Sequence, residues 1–295
     1  MTPSPHKLIV IAGPTASGKT ALAIDVALKH QAEIISFDSR QFFKEISIGT
    51  AKPSEKELAE VPHHFIGNLS IHDEYNAGKY ENQAIEKLGE LFQKHSTVVM
   101  VGGSGMYLDA VLYGFDEMPV VDVKVREKIE EIYKEEGLEV IQLMLQKMDP
   151  EHYNNVDLNN PHRIIRALGV CITTGISYTE HRKGRQKPRN FTAEIYGIEL
   201  ERPVLYERIN QRVLNMMDEG LEEEARSVYE LRHLNSLQTV GYKELFSYFS
   251  GETDLQTAIH LIQQNTRRFA KRQVTWFKKY EAMQWLAPEE ILNTC

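Results

Sequence analysis

The chain has 295 residues, of which 42% are hydrophobic and 26% are charged, and its formal net charge is −8. This composition is typical of a globular protein, and the length allows about two domains. The acidic balance argues against a uniformly basic nucleic-acid coat protein but permits a local basic face. No apolar run is long enough to span a membrane, and two cysteines provide neither a disulfide framework nor a zinc quartet. Because no signal peptide is visible, we expect a cytoplasmic protein.

The N-terminal part of the chain alternates apolar runs with a helical pattern. Apolar runs over Lys7–Ala12, 33–37 and 97–101 predict buried parallel strands. Residues 20–30 carry apolar side chains at helical spacing between the first two runs. This succession predicts an α/β fold with a parallel sheet flanked by helices.

A different pattern begins near residue 119. Residues 123–146 form a charged helical pattern, and prolines and a basic stretch follow it up to residue 189. We therefore predict a helical insertion over 119–189, which leaves 1–118 and 190–295 as the main domain. The remaining segments predict one more strand and three helical regions, over 191–200, 205–232, 243–249 and 257–280.

A phosphate-binding pattern follows the first predicted strand directly. Eight consecutive residues match G-x-x-x-x-G-K-[ST]: Gly13, Pro14, Thr15, Ala16, Ser17, Gly18, Lys19 and Thr20. Such a loop turns backbone N–H groups towards phosphate oxygens, and the next helix presents its positive end to the same anion. Lys19 supplies a positive charge, and the Thr20 hydroxyl can reach Mg²⁺. The pattern predicts a P-loop that binds a polyphosphate, and a merely structural glycine turn is the alternative.

The loop pattern does not identify the polyphosphate that is bound. The apolar run over 97–101 is followed by glycine, whereas ordinary P-loop NTPases place an aspartate there to hold Mg²⁺. Asp38 follows the second predicted strand, and ligands of parallel sheets bind beyond the carboxyl ends of the strands. We expect Asp38 either to act at the phosphate site or to cap its own turn.

Six further segments, together with the P-loop, make seven blocks in chain order. They are 38–41 (DSRQ), 48–53 (IGTAKP), 101–108 (VGGSGMYL), 162–168 (HRIIRAL), 238–245 (QTVGYKEL) and 266–277 (TRRFAKRQVTWF). This ordered set resembles the bacterial tRNA dimethylallyltransferase (tRNA isopentenyltransferase) family over nearly the whole chain. That family transfers a dimethylallyl group from dimethylallyl diphosphate to N6 of the adenosine at position 37 of tRNAs that read codons beginning with U.

The resemblance implies a role for each block. The P-loop would bind the diphosphate with no need for ATP hydrolysis, Lys19 and Thr20 would act in catalysis, and Thr20 would hold Mg²⁺. Asp38 would be the base that accepts the N6 proton. Contacts with the tRNA anticodon stem-loop would come from Asp38, Ser39, Arg40, Gln41, Ser104, Arg126, His162, Arg163, Ile164, Ile165, Arg166, Gln238, Thr239, Val240, Gly241, Tyr242 and Lys243. Arg208 and Arg212 lie four apart, so they either close on the diphosphate or form a solvated helix face.

Basic residues are segregated from acidic ones. Residues 182–189 contain five basic side chains and 267–279 contain six, with no acid in either segment. Together with the family resemblance, these two basic clusters predict RNA binding. The apolar residues between the basic residues of the second cluster, Phe269, Trp276 and Phe277, fit one helix face and are expected to pack in the core. His63 and His64 are expected to pack or to form hydrogen bonds and not to bind a metal.

Two other functions compete with the transferase. A P-loop small-molecule kinase would use Asp38 to activate a hydroxyl group, and a non-enzymatic RNA-binding module would leave Lys19 and Asp38 unexplained. We expect a monomer with no membrane partner, since one two-domain chain can wrap one tRNA arm.

Overall fold

The computed structural model describes residues 6–184 and 186–295. These residues form two compact units, one made of the chain up to Tyr113 together with Pro188–Cys295, the other of Gly114–Lys187. The predicted insertion, 119–189, overlaps the second unit along most of its length. None of the helices in the described residues combines the length and apolar character that crossing a bilayer would need.

The first unit is built on a six-stranded parallel sheet, which confirms the predicted fold class. Its strands are β1 (Lys7–Ala12), β2 (Ile34–Ser36), β3 (His63–His64), β4 (Thr97–Gly102), β5 (Thr192–Ile198) and β6 (Met283–Leu286). They lie in the order β3-β2-β4-β1-β5-β6, and every pair is parallel. The central strands β1 and β4 are buried almost throughout. This burial explains why they are continuous apolar runs instead of alternating ones.

Four helices belong to the N-terminal part of this unit. They are α1 (Lys19–His30), α2 (Glu55–Glu60), α3 (Ala77–Leu91) and α4 (Gly105–Leu112). The apolar face of α1, with Leu22, Ala23 and Val26, is buried in one core cluster with residues of β1 and β4. Parallel strands need such helical crossovers, and these place the carboxyl ends of β1, β2 and β4 at one edge of the sheet.

The second unit is helical. It contains α5 (Val123–Glu136), α6 (Leu138–Met148), α7 (Pro150–Asn155), α8 (Pro161–Thr174) and α9 (Tyr178–His181). The predicted pattern over 123–146 is divided between α5 and α6, because Gly137 has φ 91°, a conformation that ends α5. Buried Ile129, Ile141 and Leu168 form the core of this unit.

The C-terminal part of the first unit is mostly helical. It adds α10 (Arg202–Asp218), α11 (Leu221–Ser227), α12 (Tyr242–Phe249), α13 (Leu255–Phe277) and α14 (Pro288–Thr294). The helical region predicted over 205–232 is interrupted at Gly220, which has φ 99° and separates α10 from α11. Neither β3 nor β6 was predicted, because two histidines and the four residues Met-Gln-Trp-Leu give no clear strand pattern.

Candidate active site

The P-loop joins the carboxyl end of β1 to the N-terminus of α1. Ala16 and Gly18 adopt left-handed conformations with φ 63° and 87°. A loop of this shape turns successive backbone N–H groups into one concavity, which suits an anion. The Ser17 hydroxyl is buried in the loop and has no hydrogen-bond partner among the described residues. The backbone therefore has the form that the sequence pattern predicts.

Lys19 is the charged group of the P-loop. Its Nζ donates a hydrogen bond to the Pro14 carbonyl at 3.0 Å, which keeps the ammonium over the loop. Burial is the main cause that lowers the pKa of Lys19 to about 8; the Asp38 carboxylate opposes it and the Arg212 charge adds to it. The Lys19 ammonium therefore loses its proton at a lower pH than an exposed lysine does, and an anion bound beside it would favour the protonated form.

A pocket of about 480 Å³, which includes space open to solvent, brings the P-loop and Asp38 together. It lies at the carboxyl ends of β1, β2 and β4, as expected for a parallel sheet. Most of its lining is polar or charged. The lining includes Thr15, Lys19, Thr20, Ser36, Asp38, Gln41, Thr50, Ala51, Pro53, His63, Ile66 and Arg212.

Asp38 caps its own turn and also lines the pocket. Its Oδ1 accepts a hydrogen bond from the Arg40 N–H at 3.0 Å, and its own N–H donates to the Ser36 hydroxyl at 3.3 Å. Asp38 therefore caps its own turn while its carboxylate lines the pocket. The capping bond fixes the orientation of the carboxyl group towards the P-loop.

The two arginines of α10 differ in their surroundings. Arg212 lines the pocket, and burial lowers its pKa while the Asp38 carboxylate raises it. Arg208 is exposed, and its Nη1 lies 4.0 Å from where a Cβ at Gly18 would be. Both guanidinium groups are therefore near the P-loop, and Arg212 faces the pocket directly.

The sequence reasoning gave no role at the site to Gln273 or His63. Gln273 of α13 accepts the Thr15 N–H on Oε1 at 2.9 Å and donates from Nε2 to the Gly103 carbonyl at 2.9 Å. His63, expected to pack or to form hydrogen bonds, bonds through Nδ1 to the Val61 carbonyl at 2.7 Å. Its Nε2 is buried at the pocket without a partner among the described residues. In the sequence, Gln273 stands out only as a glutamine within a basic helical segment.

Comparison with known proteins identifies the family of this chain. A family model described as "IPP transferase" matches residues 41–280. The chain belongs to the IPP transferase family. It is 51% identical to the tRNA dimethylallyltransferase of Christiangramia forsetii, over 96% of this chain and 94% of the relative. It is 50% identical to that of Flavobacterium psychrophilum, over 97% and 98%. The resemblance predicted from the seven blocks is confirmed.

Solved structures of IPP transferases share this fold. The full-length tRNA isopentenylpyrophosphate transferase of Bacillus halodurans is 33% identical with a TM-score of 0.72, and the match covers 98% of this chain and 94% of that one. A eukaryotic dimethylallyltransferase acting on tRNA is 27% identical with a TM-score of 0.79. That match covers 96% of this chain and 74% of the eukaryotic chain.

Three of the residues that the family resemblance implies as tRNA contacts lie at the turn that carries Asp38. They are Ser39, Arg40 and Ser104, and all three form hydrogen bonds there. The Ser104 hydroxyl accepts the Ser39 N–H at 2.9 Å and lies 3.0 Å from the Ser39 hydroxyl. The Arg40 guanidinium donates to the carbonyls of Asn235 and Ser236, each at 3.0 Å. The side chains of Ser39, Arg40 and Ser104 thus shape the turn that carries Asp38.

The other implied tRNA residues divide into exposed and buried groups. In the second unit, Arg126 pairs with Glu130 on the surface of α5, and His162, Arg163 and Arg166 are exposed on α8. Ile164 and Ile165 are buried in the core of that unit, so their side chains pack there. The segment 238–243 leads into α12, with Gln238 and Lys243 exposed, Thr239 and Val240 half-buried, and Gly241 and Tyr242 buried.

The basic clusters differ from the sequence expectation at several positions. Arg189 is bonded to Glu81 at 3.0 Å and to the carbonyls of Ala110 and Val111. Its guanidinium group is therefore paired within the protein and is not free to contact an RNA phosphate. Lys183 is exposed, and Arg185 lies outside the described residues. In the second cluster Phe277 is buried as predicted. Phe269 and Trp276 are each 39% exposed, which corrects the prediction that they pack in the core.

The lowered pKa of Lys19 makes anion binding depend on pH. Binding of inorganic diphosphate favours the protonated lysine, so we expect proton uptake by Lys19 on binding above about pH 8 and weaker binding as the pH rises. Calorimetry in buffers of different ionisation enthalpy measures this uptake. The Lys19→Ala variant supplies the baseline, because diphosphate itself titrates. Equal proton uptake by the two proteins between about pH 8 and 9 would contradict the assignment.

Proposed function

We propose that this protein transfers a dimethylallyl group from dimethylallyl diphosphate to N6 of the adenosine at position 37 of tRNAs that read codons beginning with U. Diphosphate is the second product. The observation that carries the proposal is the single pocket that Lys19, Thr20 and Asp38 line together. Relatives about half identical over nearly the full chain are named tRNA dimethylallyltransferases, which supports it.

The pocket supplies what an allylic transfer needs. The C–O bond to the diphosphate breaks as negative charge develops on the leaving group, and Lys19 and the P-loop N–H groups stabilise that charge. The adenine N6 forms the new bond to the allylic carbon. Its lone pair is delocalised into the ring, so a carboxylate bonded to its N–H increases its nucleophilicity. Asp38 then accepts the proton that N6 loses.

We propose Mg²⁺ as the metal of this site. The Thr20 hydroxyl is an oxygen ligand of the kind that this ion prefers. The described residues contain no cluster of three histidine, cysteine, aspartate or glutamate side chains able to hold a metal. Diphosphate oxygens and water would therefore complete its coordination, as is usual for Mg²⁺. When bound, the ion would neutralise charge on the diphosphate.

The proposed RNA partner is the anticodon stem-loop. The target adenine must leave its stack to reach a carboxylate within a pocket. Exposed basic residues, including Arg163 and Arg166 in the second unit and Lys271 and Arg272 on α13, are suited to bind RNA phosphates. We propose that the protein acts as a cytoplasmic monomer on one such arm.

The test uses dimethylallyl diphosphate, Mg²⁺ and a synthetic anticodon stem-loop with adenine at position 37. Mass measurement of the RNA should show one dimethylallyl group in place of one hydrogen. A stem-loop with guanine at that position is the matched control and should not change. If the RNA stays unmodified while ATP phosphorylates a hydroxylated metabolite, the kinase alternative replaces the transferase.

The 182–189 cluster, apart from Arg189, should add affinity for RNA without entering the chemistry. Replacing Lys183 and Arg185 by alanine should raise the KM for tRNA and flatten the dependence of log affinity on log salt concentration by up to about two units. The rate at saturating tRNA should hold, because phosphate contacts act equally in ground and transition states.

Lys56 and Lys94 provide the control pair for this salt experiment, since both are exposed in the first unit. Their replacement by alanine should leave the salt slope as it is in the unchanged protein. Coincident lines for the two double variants would mean that Lys183 and Arg185 are solvated residues that do not contact RNA.

A further inference from the structure

A carboxylate that does not line the pocket binds the backbone of one pocket wall. Glu224 lies on α11, and its Oε2 accepts the N–H groups of Ser47 and Ile48 at 2.7 and 2.8 Å. Its Oε1 accepts the Gly49 N–H at 2.9 Å and the Tyr242 hydroxyl at 2.6 Å. Two oxygens thus receive four hydrogen bonds, and three of these come from consecutive backbone amides.

These amides begin a tight segment, residues 46–53, that we call the wall segment. The Thr50 hydroxyl donates to the Ile46 carbonyl at 2.7 Å, and the Ala51 N–H donates to the Ile48 carbonyl at 2.9 Å. Ala51 has φ 47°, a left-handed conformation that an alanine adopts only when its surroundings impose it. The far end of the segment supplies three residues of the pocket lining, Thr50, Ala51 and Pro53.

The wall segment is bonded to the turn that carries Asp38. Gln41 donates from Nε2 to the Ala51 carbonyl at 2.9 Å and to the Thr50 carbonyl at 3.3 Å. Gln41 follows Asp38 by three residues, and its Oε1 lies 3.5 Å from the Ser36 hydroxyl, which accepts the Asp38 N–H. A displacement of the wall segment therefore moves Gln41, and through the Ser36 hydroxyl it reaches the backbone of Asp38.

A glutamate is better suited than most side chains to accept several N–H groups of the wall segment. An ionised carboxylate only accepts hydrogen bonds, so both oxygens can face N–H groups, whereas the amide nitrogen of a glutamine would oppose one of them. Hydrogen bonds to a charged acceptor are also stronger than those between neutral groups. Gly49 completes the arrangement, because a Cβ there would lie 2.6 Å from the Tyr242 ring and keep its hydroxyl from Glu224.

We propose that Glu224 is a positioning residue for dimethylallyl transfer, an inference that rests on the function proposed above. It acts through the wall segment and Gln41 on the geometry of Asp38 and takes no part in the chemistry. The P-loop lies outside this set of hydrogen bonds. Loss of the Glu224 carboxylate should therefore impair the chemical step more than the binding of diphosphate.

The test compares Glu224→Gln with Glu222→Gln, a matched change on the same helix where the carboxylate pairs with Arg226 on the surface. We expect Glu224→Gln to lower kcat by about 10–100-fold, since small misplacements of reacting groups cost up to about 10²-fold. Its affinity for inorganic diphosphate should stay close to that of Glu222→Gln, and its Tm should fall by only the few degrees that weakened hydrogen bonds cost. Glu224→Asp, which retains the charge on a shorter side chain, should recover part of kcat and serves if the glutamine variant does not fold.

Failure of this inference and failure of the proposed function would give different results. If the unchanged protein and Glu222→Gln add no dimethylallyl group to the stem-loop, the proposed function fails. If both are active and Glu224→Gln equals them in kcat, Glu224 is not a positioning residue. A parallel fall in kcat, diphosphate affinity and Tm would likewise overturn the inference, because it would show a general loss of structure.

Discussion

Replacement of Asp38 by asparagine is expected to lower the turnover of dimethylallyl transfer by about 10²–10⁴-fold, the usual contribution of a general base. The fold should survive, because the asparagine Oδ1 can still accept the Arg40 N–H that Asp38 accepts at 3.0 Å. The amide cannot take the N6 proton. The measurement is single-turnover transfer to the stem-loop, together with the Kd for the RNA, which should change little.

Asp25→Asn is the control for this experiment, since it makes the same change at an exposed aspartate of α1 that does not line the pocket. A kcat for Asp38→Asn close to that of Asp25→Asn would remove Asp38 from the mechanism. It would leave Asp38 with only its capping role.

Replacement of Lys19 by alanine is expected to have the second large effect. It removes the ammonium held over the P-loop by the Pro14 carbonyl and beside Asp38 in the pocket. Loss of one preorganised group that stabilises developing negative charge typically costs about 10²–10³-fold in rate. The KM for dimethylallyl diphosphate should rise as well, because the same charge binds the ground-state anion. The affinity for tRNA should remain nearly unchanged.

Lys56→Ala is the matched control for Lys19→Ala, because Lys56 is exposed on α2 and does not line the pocket. Titration with inorganic diphosphate and steady-state kinetics give the two quantities. If both variants bind diphosphate equally well, the P-loop does not hold the substrate, whatever its shape.

The parts of the site that the sequence predicted are those encoded locally. The P-loop follows from eight consecutive residues, and the position of Asp38 follows from its place after a strand that is buried in a parallel sheet. The helix ends at Gly137 and Gly220 carry a local signal too, because glycine favours the left-handed conformations found there. If these two glycines had been taken as helix ends, the helical regions predicted over 123–146 and 205–232 would each have been divided at the observed position.

The parts that could not be predicted depend on contacts between distant segments. Gln273 reaches Thr15 across 258 residues, and Glu224 reaches Ser47 across 177. No local pattern distinguishes either residue from a polar side chain on a helix surface. The exposure of Trp276 has the same origin, since helical periodicity shows that apolar residues share a face but not how far that face is covered.

The strand order has a consequence for biosynthesis. β1, the first of the six described strands in chain order, lies between β4 and β5 and pairs with both. The whole second unit is encoded between those two strands, as one continuous segment with its own core. The ribosome therefore completes the second unit before the first unit can close its sheet. The Thr15 bond to Gln273 forms later still, so a nascent chain acquires its finished P-loop only after α13 has been synthesised.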